Sequence, residues 1–312
     1  MVKKIKEKEI KILVIGGLGC VGTPLVNELR LRGYDVWVAD KAHDHYEKYI
    51  RCDISKFRQV EKLFEQDFDY VYNLGAEFGR YNGEDFYETL WESNAIGMKN
   101  IIRLQEQKKF KMIFTSSSEV YGDYKGEMRE DVLMVHPIRQ LNDYAISKWV
   151  NEQQIMNSAD RFRTESVRIR LFNTYGPGEY YSAYRSVICL FVHRALKGLP
   201  YTVYLNHHRT STFITDTVRT MANIIDNFKA GEVYNICGEE YHDIKMLSDM
   251  ILDEVDIDDS NVKYVKEEDH NTLDKKGDNT KAKRDLGHKA TVGLSEGIKR
   301  TIEWQKKEYG IK

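Results

Sequence analysis

Proline, cysteine and long apolar runs are scarce in this sequence, and each scarcity excludes a class of protein. The 312 residues include 4 prolines, which argues against long disordered linkers. The four cysteines, at positions 20, 52, 189 and 237, form no C-x-x-C pair, and this spacing excludes a disulfide scaffold and a zinc ribbon. No apolar run approaches the ~20 residues that a membrane span needs.

The net charge and the N-terminal segment argue against two further classes, nucleic-acid-binding proteins and secreted proteins. Lys and Arg number 47 against 49 Asp and Glu, so the net charge of −2 provides no global basic field for nucleic acid. Residues 1–11 alternate Lys, Glu and Ile and lack the apolar core of a secretory signal. We therefore expect a cytoplasmic, soluble protein without a nucleic-acid or membrane partner.

Short β-branched runs alternate with helical stretches in the first half of the chain. Strands are expected at 10–15, 34–39, 70–74, 111–115 and 166–171, and helices at 23–32, 55–65, 94–108 and 143–157. This alternation predicts an α/β fold, a doubly wound parallel sheet with helices on both faces.

The pattern loosens after residue 173, which indicates a second, smaller domain. Loops and one helix are expected over 174–207, and the segments 212–225 and 233–236 look like a return to the sheet. The last part, about 243–312, is helical and rich in charge. We predict one domain of residues 1–173 with about 208–236, and a smaller α/β domain of about 174–207 and 237–312.

A glycine-rich turn directly follows the first predicted strand. Gly16, Gly19 and Gly22 form a G-x-x-G-x-x-G pattern that encloses Cys20 and Val21 and precedes a helix. Glycine lets the backbone approach a pyrophosphate at a helix N-terminus, where a Cβ atom would collide. The turn therefore predicts a dinucleotide-binding site, and a Gly-rich turn without a nucleotide is the bland alternative.

Residues at the ends of the next strands complete this candidate cofactor site. Asp40 ends the second strand, where a carboxylate accepts hydrogen bonds from adenosine ribose hydroxyls and repels a 2′-phosphate, which favours NAD over NADP. Asp53 and Ile54 are candidates to flank the adenine, although Asp53 is equally compatible with a turn or cap. Leu74 and Ala76 follow the third strand, where small residues let the backbone pass close to a cofactor.

A tyrosine and a lysine share one helix face and form a candidate catalytic pair. Tyr144 and Lys148 are spaced i, i+4, and a nearby ammonium lowers a phenol's pKa, so Tyr144 is a candidate base. An ordinary helix face has the same spacing. The fourth strand supports the catalytic interpretation because it ends in the run 115–122 (TSSSEVYG), and ligands bind at the carboxyl ends of parallel strands.

These motifs occur in a characteristic order. The glycine-rich turn, S-S-S-E-V-Y-G, Y-x-x-x-K and then R-L-F-N-T-Y-G-P over 170–177 resemble extended short-chain dehydrogenases/reductases of the nucleotide-sugar epimerase/dehydratase family. The tail, at 278–282 and 294–298, is similar to the family as well. The resemblance implies a Rossmann domain, NAD as cofactor, a nucleotide-diphosphate sugar as substrate, and a homodimer formed by the helices near 94–108 and 143–157.

The resemblance also implies roles for individual residues. Ser117 would hydrogen-bond the sugar 4-hydroxyl, Tyr144 would take its proton, and Lys148 would hold the nicotinamide ribose and lower the Tyr144 pKa.

Three further residues match substrate-binding positions of the family. Asn94 matches an asparagine that supports the active site, and Asn173 and Arg209 match positions that contact the substrate diphosphate. Arg209 follows His207 and His208, but this cluster lacks a third ligand, so no metal site is expected.

Glu119 indicates the subclass of reaction. The dehydratases and sugar-acid decarboxylases of the family carry Glu at this position, where it would remove the C5 proton of a 4-keto sugar as water leaves C6, with Ser118 as an auxiliary group. Ser118 departs from the Asp of deoxythymidine-diphosphate-glucose dehydratases. The Ser-Glu pair is closer to guanosine-diphosphate-mannose dehydratases and uridine-diphosphate-glucuronate decarboxylases. A Glu119 that only tunes substrate position is the alternative.

The leading hypothesis from the sequence is an NAD-dependent enzyme, a nucleotide-sugar 4,6-dehydratase that gives a 4-keto-6-deoxy product. A uridine-diphosphate-glucuronate-type decarboxylase, an epimerase and a nucleotide-bound regulatory protein on the same fold are the alternatives. The segment 77–85 (EFGRYNGED) matches no subclass, and either Arg80 or Glu77 in it reads an unusual sugar or the segment is a solvated loop.

Overall fold

The computed structural model describes residues 9–45, 47–268 and 270–312. Residues 1–8, from which the sequence predicts no secretory signal, lie outside the described residues. Within the described ranges no helix has the length and apolar character needed to cross a membrane. The strands in chain order are β1 Lys11–Ile15, β2 Asp35–Asp40, β3 Tyr49–Arg51, β4 Tyr70–Asn73, β5 Lys111–Ser117, β6 Glu127–Met128, β7 Ser166–Leu171, β8 Thr174–Tyr175, β9 Tyr201–Tyr204, β10 His208–Thr210, β11 Thr212–Phe213, β12 Val233–Ile236, β13 Tyr241–Asp243, β14 Val262–Val265 and β15 Asp274–Gly277.

Helices connect most of these strands. They are α1 Gly22–Leu31, α2 Phe57–Leu63, α3 Arg80–Asp85, α4 Tyr87–Trp91, α5 Gly97–Lys108, α6 Val132–Val135, α7 Asp143–Phe162, α8 Val187–Leu196, α9 Ile214–Asn223, α10 Ile244–Val255, α11 Thr280–Leu286 and α12 Leu294–Tyr309. A π-helical segment, Glu92–Ile96, precedes α5, and a 3₁₀ turn, Ser118–Tyr121, follows β5.

Seven strands form the central sheet, in the order β12-β7-β5-β4-β1-β2-β3, and every neighbouring pair is parallel. The strand order reverses direction between β1 and β4, which is the switch point where open α/β sheets bind ligands. The predicted doubly wound parallel sheet is confirmed.

Alternating residues of β1 enter two separate apolar cores, one on each face of the sheet. Ile12 and Val14 pack with residues of α1 and α9, whereas Leu13 and Ile15 pack with residues of α2, α5 and α7. A strand whose two faces are both buried reads as a continuous apolar run, which is why β1 is visible in the sequence.

Smaller sheets lie beyond the central one. Strands β13, β10, β15 and β6 form a mixed four-stranded sheet, β14 pairs with β9, and β11 pairs with β8. Strand β15 lies in the part of the chain that the sequence predicts to be helical. Its sequence, DKKG, has no apolar residue that would predict a strand.

The expected return to the sheet over 212–225 is largely wrong. Only β11 is extended there, and Ile214–Asn223 forms helix α9. Ile214, Val218 and Met221 are buried on one side of this helix, because they recur at helical spacing despite the many β-branched residues. Segment 233–236 does join the central sheet, as the edge strand β12 beside β7.

A buried ion pair ties α7 to the middle of the sheet. Glu152 on α7 accepts hydrogen bonds from Arg170 on β7, with Nε to Oε1 at 3.0 Å and Nη2 to Oε2 at 2.8 Å. Ser116 on β5 donates to the same carboxylate at 2.6 Å. Burial would raise the Glu152 pKa, but Arg170, Arg168 and Ser116 together hold it below its usual value.

Replacement of Arg170 by Met tests this pair. The substitution leaves a buried carboxylate without its cation, and we expect the free energy of unfolding to fall by about 3–5 kcal/mol at pH 7, measured by urea denaturation. The double variant Glu152→Met/Arg170→Met should recover part of that loss. Arg58→Met, at an exposed position, is the control and should stay within about 0.5 kcal/mol. A loss below about 1 kcal/mol for Arg170→Met would contradict this account.

Candidate active site

A cleft of about 660 Å³ opens at the carboxyl ends of the central strands. Its lining includes the last residues of β1, β2, β5 and β7, namely Ile15, Asp40, Ser117 and Leu171. The remainder of its wall comes from later parts of the chain, including the segment before α8, β10 and β15. The cleft therefore lies where doubly wound sheets bind ligands, with residues from distant parts of the sequence on its walls.

The glycine-rich turn lines the cleft, and Gly16 and Gly22 in it have no room for a side chain. A Cβ atom on Gly16 would lie 2.8 Å from Gly75 N, and one on Gly22 would lie 2.1 Å from Gly16 O. Gly16 also has a positive φ of 77°. Helix α1 begins at Gly22, so its N-terminus faces the cleft beside Gly19, Cys20 and Val21. This backbone fits a dinucleotide diphosphate.

Asp40 ends β2 at the rim of the cleft. Its Oδ2 accepts from Leu18 N at 3.1 Å and its Oδ1 from Ala42 N at 3.1 Å, which fixes the carboxylate beside the glycine-rich turn. The neighbouring Lys41 forms an ion pair with Glu77 and is thereby engaged away from Asp40. The carboxylate is thus placed where a ribose hydroxyl would bind and where a 2′-phosphate would be repelled.

The other predicted cofactor residues also line the cleft. Asp53, Ile54, Leu74 and Ala76 all contribute to its wall. Asp53 Oδ1 accepts from Ser55 N at 3.0 Å and from Ser55 Oγ at 2.8 Å, so Asp53 is a turn residue as well. Asp53 is therefore a turn residue that also lines the cleft, and its place beside an adenine stays a prediction.

The predicted catalytic side chains meet above the glycine-rich turn. Ser117, Ser118, Glu119, Tyr144 and Lys148 all line the cleft. The Ser117 side chain lies close enough to the Tyr144 hydroxyl to lower the Tyr144 pKa. Lys148 Nζ donates to Thr115 O at 2.9 Å and lies 5.8 Å from the centre of the Tyr144 ring. Strand β5 and helix α7 thus bring two motifs, separated by some thirty residues, to one point.

The pKa of Tyr144 departs from the sequence-based expectation. Burial raises it, and the Ser117 side chain offsets only part of that effect. Burial also lowers the Lys148 pKa, to about 8, with Glu152 acting in the opposite direction. Burial therefore dominates the Tyr144 pKa in this structure, where the Lys148 ammonium donates to a backbone carbonyl.

Glu119 forms an ion pair with Lys275 on β15, and this pair faces the cleft. Burial would raise the Glu119 pKa, but Lys275, Arg209 and Arg80 together hold it below its usual value. Burial lowers the Lys275 pKa to about 8, against the attraction of Glu119. At neutral pH the pair is therefore ionised, with a carboxylate and an ammonium beside the Ser117–Tyr144 pair.

The three predicted substrate residues occupy different places. Asn173 and Arg209 line the cleft. Asn94 does not. It is buried in the π-helical segment, where its Nδ2 donates to Ser147 Oγ at 3.0 Å and its Oδ1 accepts from Glu77 N at 2.8 Å. The structure therefore assigns Asn94 to holding the loop after β4 against α7, and direct substrate contact by Asn94 is not supported.

Arg209 is held rigidly at the cleft wall. Its Nη1 donates to the carbonyls of His208 and Leu273, each at 2.8 Å, and its Nη2 lies 3.2 Å from His207 Nδ1. Burial lowers the Arg209 pKa, which Glu119 and Glu268 oppose. A fixed, buried guanidinium of this kind is suited to a phosphate or carboxylate ligand.

The comparison with family models decides the family. A model described as the NAD dependent epimerase/dehydratase family matches residues 12–237, most of the chain. The chain belongs to this family. The predictions of an enzyme and of NAD as the cofactor are confirmed at the level of the family.

Curated relatives and solved structures agree with this family assignment. The chain is 29% identical to a UDP-N-acetyl-alpha-D-glucosaminuronate decarboxylase of Bacillus cytotoxicus, over 94% of this chain and 97% of the relative. It is 27% identical to UDP-glucuronic acid decarboxylase 1 of Xenopus tropicalis, over 98% of this chain and 75% of the relative. The epimerase Mth375 of Methanothermobacter thermautotrophicus is similar in structure, with a TM-score of 0.86, 25% identity and coverage of 97% and 94%.

Several cleft residues of this family member have no local pattern in the sequence that marks them. Lys275 comes from a short polar strand, and Glu179, Arg185 and Glu268 come from irregular segments. Arg80 is a candidate from the sequence, and its Nη2 pairs with Glu268 at 2.6 Å across the cleft. Charged residues in loops are common, so only the fold distinguishes those that line the cleft.

Replacement of Lys275 by Met tests the ion pair through the pH dependence of stability. In the wild type, the lowered Glu119 pKa contributes stability that is present above the unfolded pKa of ~4.3 and is lost as the pH falls below it. Without Lys275 the buried carboxylate is unpaired, so we expect a loss of about 3–5 kcal/mol in unfolding free energy at pH 7.5. The loss should shrink at pH 5, measured by urea denaturation, because burial raises the pKa of the unpaired Glu119 in the variant and the carboxylate then takes up a proton.

The neighbouring lysine provides the matched control. Lys276 pairs with Glu127, and both side chains are about half exposed, so Lys276→Met should change stability by less than about 1 kcal/mol at both pH values. Equal losses of unfolding free energy for Lys275→Met at pH 5 and pH 7.5 would show that the loss does not arise from an unpaired Glu119 carboxylate.

Proposed function

We propose that the chain is an NAD-dependent decarboxylase of a nucleotide-diphosphate uronic acid, which acts by transient oxidation at C4 of the sugar. The single observation that carries this proposal is the Glu119–Lys275 pair, which puts a buried ammonium beside the Ser117–Tyr144 pair. Arg209 and Arg80 add positive charge near Glu119, since both lower the Glu119 pKa. Cations clustered there suit a substrate with a carboxylate at C5.

The chemistry begins at the sugar 4-hydroxyl, which Ser117 and Tyr144 are placed to bind. NAD⁺, which the glycine-rich turn and Asp40 would hold, would accept the C4 hydride and later return it, and its positive charge would favour the Tyr144 phenolate. Tyr144 takes the hydroxyl proton as C4 becomes a ketone. The C6 carboxylate is then β to a ketone, held by Lys275.

Loss of carbon dioxide follows from that arrangement. The C5–C6 bond breaks, its electron pair moves into an enolate, and hydrogen bonds from Tyr144 and Ser117 stabilise the negative oxygen at C4. C5 then takes a proton from the Lys275 ammonium, which solvent replaces, and Tyr144 returns its proton to the C4 oxygen as C4 is reduced again. The Lys275 pKa of about 8 makes proton transfer from this pair feasible near neutral pH.

The 4,6-dehydratase predicted from Glu119 is the second candidate. It requires Glu119 to remove the C5 proton, yet Lys275 lowers the Glu119 pKa and makes the carboxylate a weaker base. Decarboxylation needs no such base, because the carboxylate leaves as carbon dioxide. The curated relatives compared above, both decarboxylases, support the same choice over the dehydratase. An epimerase also stays compatible with the Tyr144 and Ser117 geometry.

The direct test is incubation of the NAD-loaded protein with UDP-glucuronic acid, UDP-N-acetylglucosaminuronic acid and UDP-glucose, with products followed by NMR. We expect one carbon dioxide for each molecule of a uronic acid consumed, and no reaction of UDP-glucose. A 4-keto-6-deoxy product from UDP-glucose would establish the dehydratase, and an isomer formed without carbon dioxide would establish an epimerase.

Two variants separate catalysis from substrate binding. Tyr144→Phe should reduce kcat by about 10²–10⁴-fold, because it removes the proton acceptor. Lys275→Met should raise KM for the uronic acid by about 10–100-fold, because it removes a charged partner of the carboxylate. Unchanged activity of Tyr144→Phe would instead favour a nucleotide-bound regulatory protein.

We further infer that residues 174–207 and 237–312 supply most of the nucleotide-sugar contacts, and that the chain forms a homodimer through α5 and α7. Ile96, Phe86 and Tyr87 are more than half exposed, and Ile146 on α7 is 36% exposed. Such apolar side chains near one pair of helices fit a self-associating face. The cytoplasmic location stays a prediction from the sequence.

Sedimentation velocity tests the dimer. We expect the wild type to sediment as a dimer and Ile96→Glu/Ile146→Glu to sediment as a monomer, because a charge at each position would be buried without a partner in a shared helix face. Leu31→Glu, at an exposed position at the end of α1, is the control and should remain dimeric. A monomeric wild type at micromolar concentration would contradict the proposal.

A further inference from the structure

A guanidinium reaches the glycine-rich turn from the opposite side of the cleft. Arg185, in the segment before α8, lines the cavity together with Gly19 and Val21. Its Nη1 lies 3.7 Å from Cys20 Sγ. The guanidinium carbon lies 4.1 Å from the centre of the Phe78 ring. A part of the chain far from β1 therefore brings a positive charge to the turn that follows β1.

The charge of Arg185 is not neutralised by a carboxylate contact. Among the residues that the structure describes, Arg185 has no acidic partner within 4.0 Å, and its Nε is buried without a hydrogen-bond partner. Glu179 is the acidic group near it, but the Glu179 carboxylate accepts from Ser186 N at 3.0 Å and from Ser186 Oγ at 2.7 Å. Arg185 thus lines the cleft with a positive charge that no carboxylate in the described ranges pairs and with an Nε donor that no acceptor there uses.

Positive groups from two sides converge on the Cys20 sulfur. Burial and Glu179 raise the pKa of Cys20, whereas Arg185 and the backbone N–H groups of Val21 and Cys20 favour the thiolate. A sulfur atom is only a weak hydrogen-bond acceptor. A guanidinium and the N–H groups at a helix N-terminus, aimed at one point, match the oxygens of a phosphate much better.

We propose that Arg185 is a phosphate-binding residue for the diphosphate of the dinucleotide cofactor. The inference rests on the NAD site of the proposed function and adds to it a residue outside the glycine-rich turn. The diphosphate would be held on one side by the N-terminus of α1 and on the other by the segment before α8.

Neighbouring contacts hold Arg185 in this position. The Tyr184 hydroxyl donates to Asp85 Oδ2 at 2.9 Å, and the Tyr184 ring lies edge-on to Phe86 at 6.1 Å. These contacts join the segment before α8 to the segment after β4. The Arg185 guanidinium also packs on the face of the Phe78 ring. The two segments together would cover the diphosphate and slow its release.

Equilibrium binding tests the proposal without reference to catalysis. NAD, ADP-ribose, adenosine and UDP are titrated by calorimetry into the wild type and into Arg185→Gln. We expect Arg185→Gln to raise the Kd of NAD and of ADP-ribose by about 10–100-fold and to leave adenosine unchanged, because one charge-assisted contact to the diphosphate is lost. Arg185→Lys should show a smaller loss, because it keeps the charge but not the planar fork.

Two controls isolate the contribution of the Arg185 guanidinium to cofactor binding. Arg194 lies on α8, where its Nη1 donates to Pro200 O at 2.6 Å, so Arg194→Gln should leave the Kd of NAD within twofold. UDP affinity, measured with NAD at saturation, should be equal in the wild type and in Arg185→Gln.

Two results would overturn the inference while leaving the proposed function intact. The first is a Kd of NAD within twofold of wild type in Arg185→Gln. The second is a loss of UDP affinity with NAD affinity unchanged, which would assign Arg185 to the substrate diphosphate. A wild-type protein that binds no NAD would overturn the proposed function itself.

Discussion

The buried ion pair between Glu152 and Arg170 is the constraint on which the geometry of the cleft depends. Glu152 lies one helical turn after Lys148 on α7, and two turns after Tyr144, so fixing its carboxylate fixes the position and rotation of the helix. The same carboxylate accepts from Ser116, the residue before Ser117. Arg170 continues the network to the Tyr121 hydroxyl at 2.9 Å, at the end of the turn that carries Glu119. One fully buried carboxylate thereby sets the spacing between the two motifs that carry the candidate catalytic residues.

A second constraint comes from the late segments of the chain. The β5–α7 half of the cleft supplies the hydroxyls and Lys148, but the groups that surround Glu119 come from elsewhere. Lys275 lies on β15, which pairs with β10, and β10 carries Arg209. The mixed sheet therefore positions two cations at once, and it does so through backbone pairing that a change in side chains would not easily disturb. The central strands and the glycine-rich turn line one part of the cleft, whereas the cations around Glu119 come from segments late in the chain.

The sequence predicts those features of this protein that are determined by residues close together in the chain. The apolar run of β1, the glycines that follow it and the i, i+4 spacing of Tyr144 and Lys148 each express their structure within a few residues. The motif position of Asn94 predicts a place at the substrate, but it says nothing about which way the π-helical segment turns the side chain. No local pattern identifies Lys275 or Arg185, because their importance depends on contacts with residues more than 150 positions away. The Tyr144 pKa differs from its prediction for a similar reason, since helical spacing reports proximity to Lys148 but not the burial that dominates.

The two carboxylates of the network, Glu152 and Glu119, show how burial decides the role of a charge. Both have a pKa held below the usual value by cations. Glu152 lies on α7, the helix that carries Tyr144, and Glu119 follows Ser117 by two residues. Glu152 has a side chain with no exposure and saturates its oxygens with Arg170 and Ser116, so it has no capacity left for a ligand. Glu119 retains 20% exposure and faces the cleft, and its partner Lys275 has a pKa of about 8, close enough to neutrality to exchange a proton. The same kind of ion pair therefore stabilises the fold where it is fully buried, as at Glu152. It is available for reaction where it faces the cleft, as at Glu119.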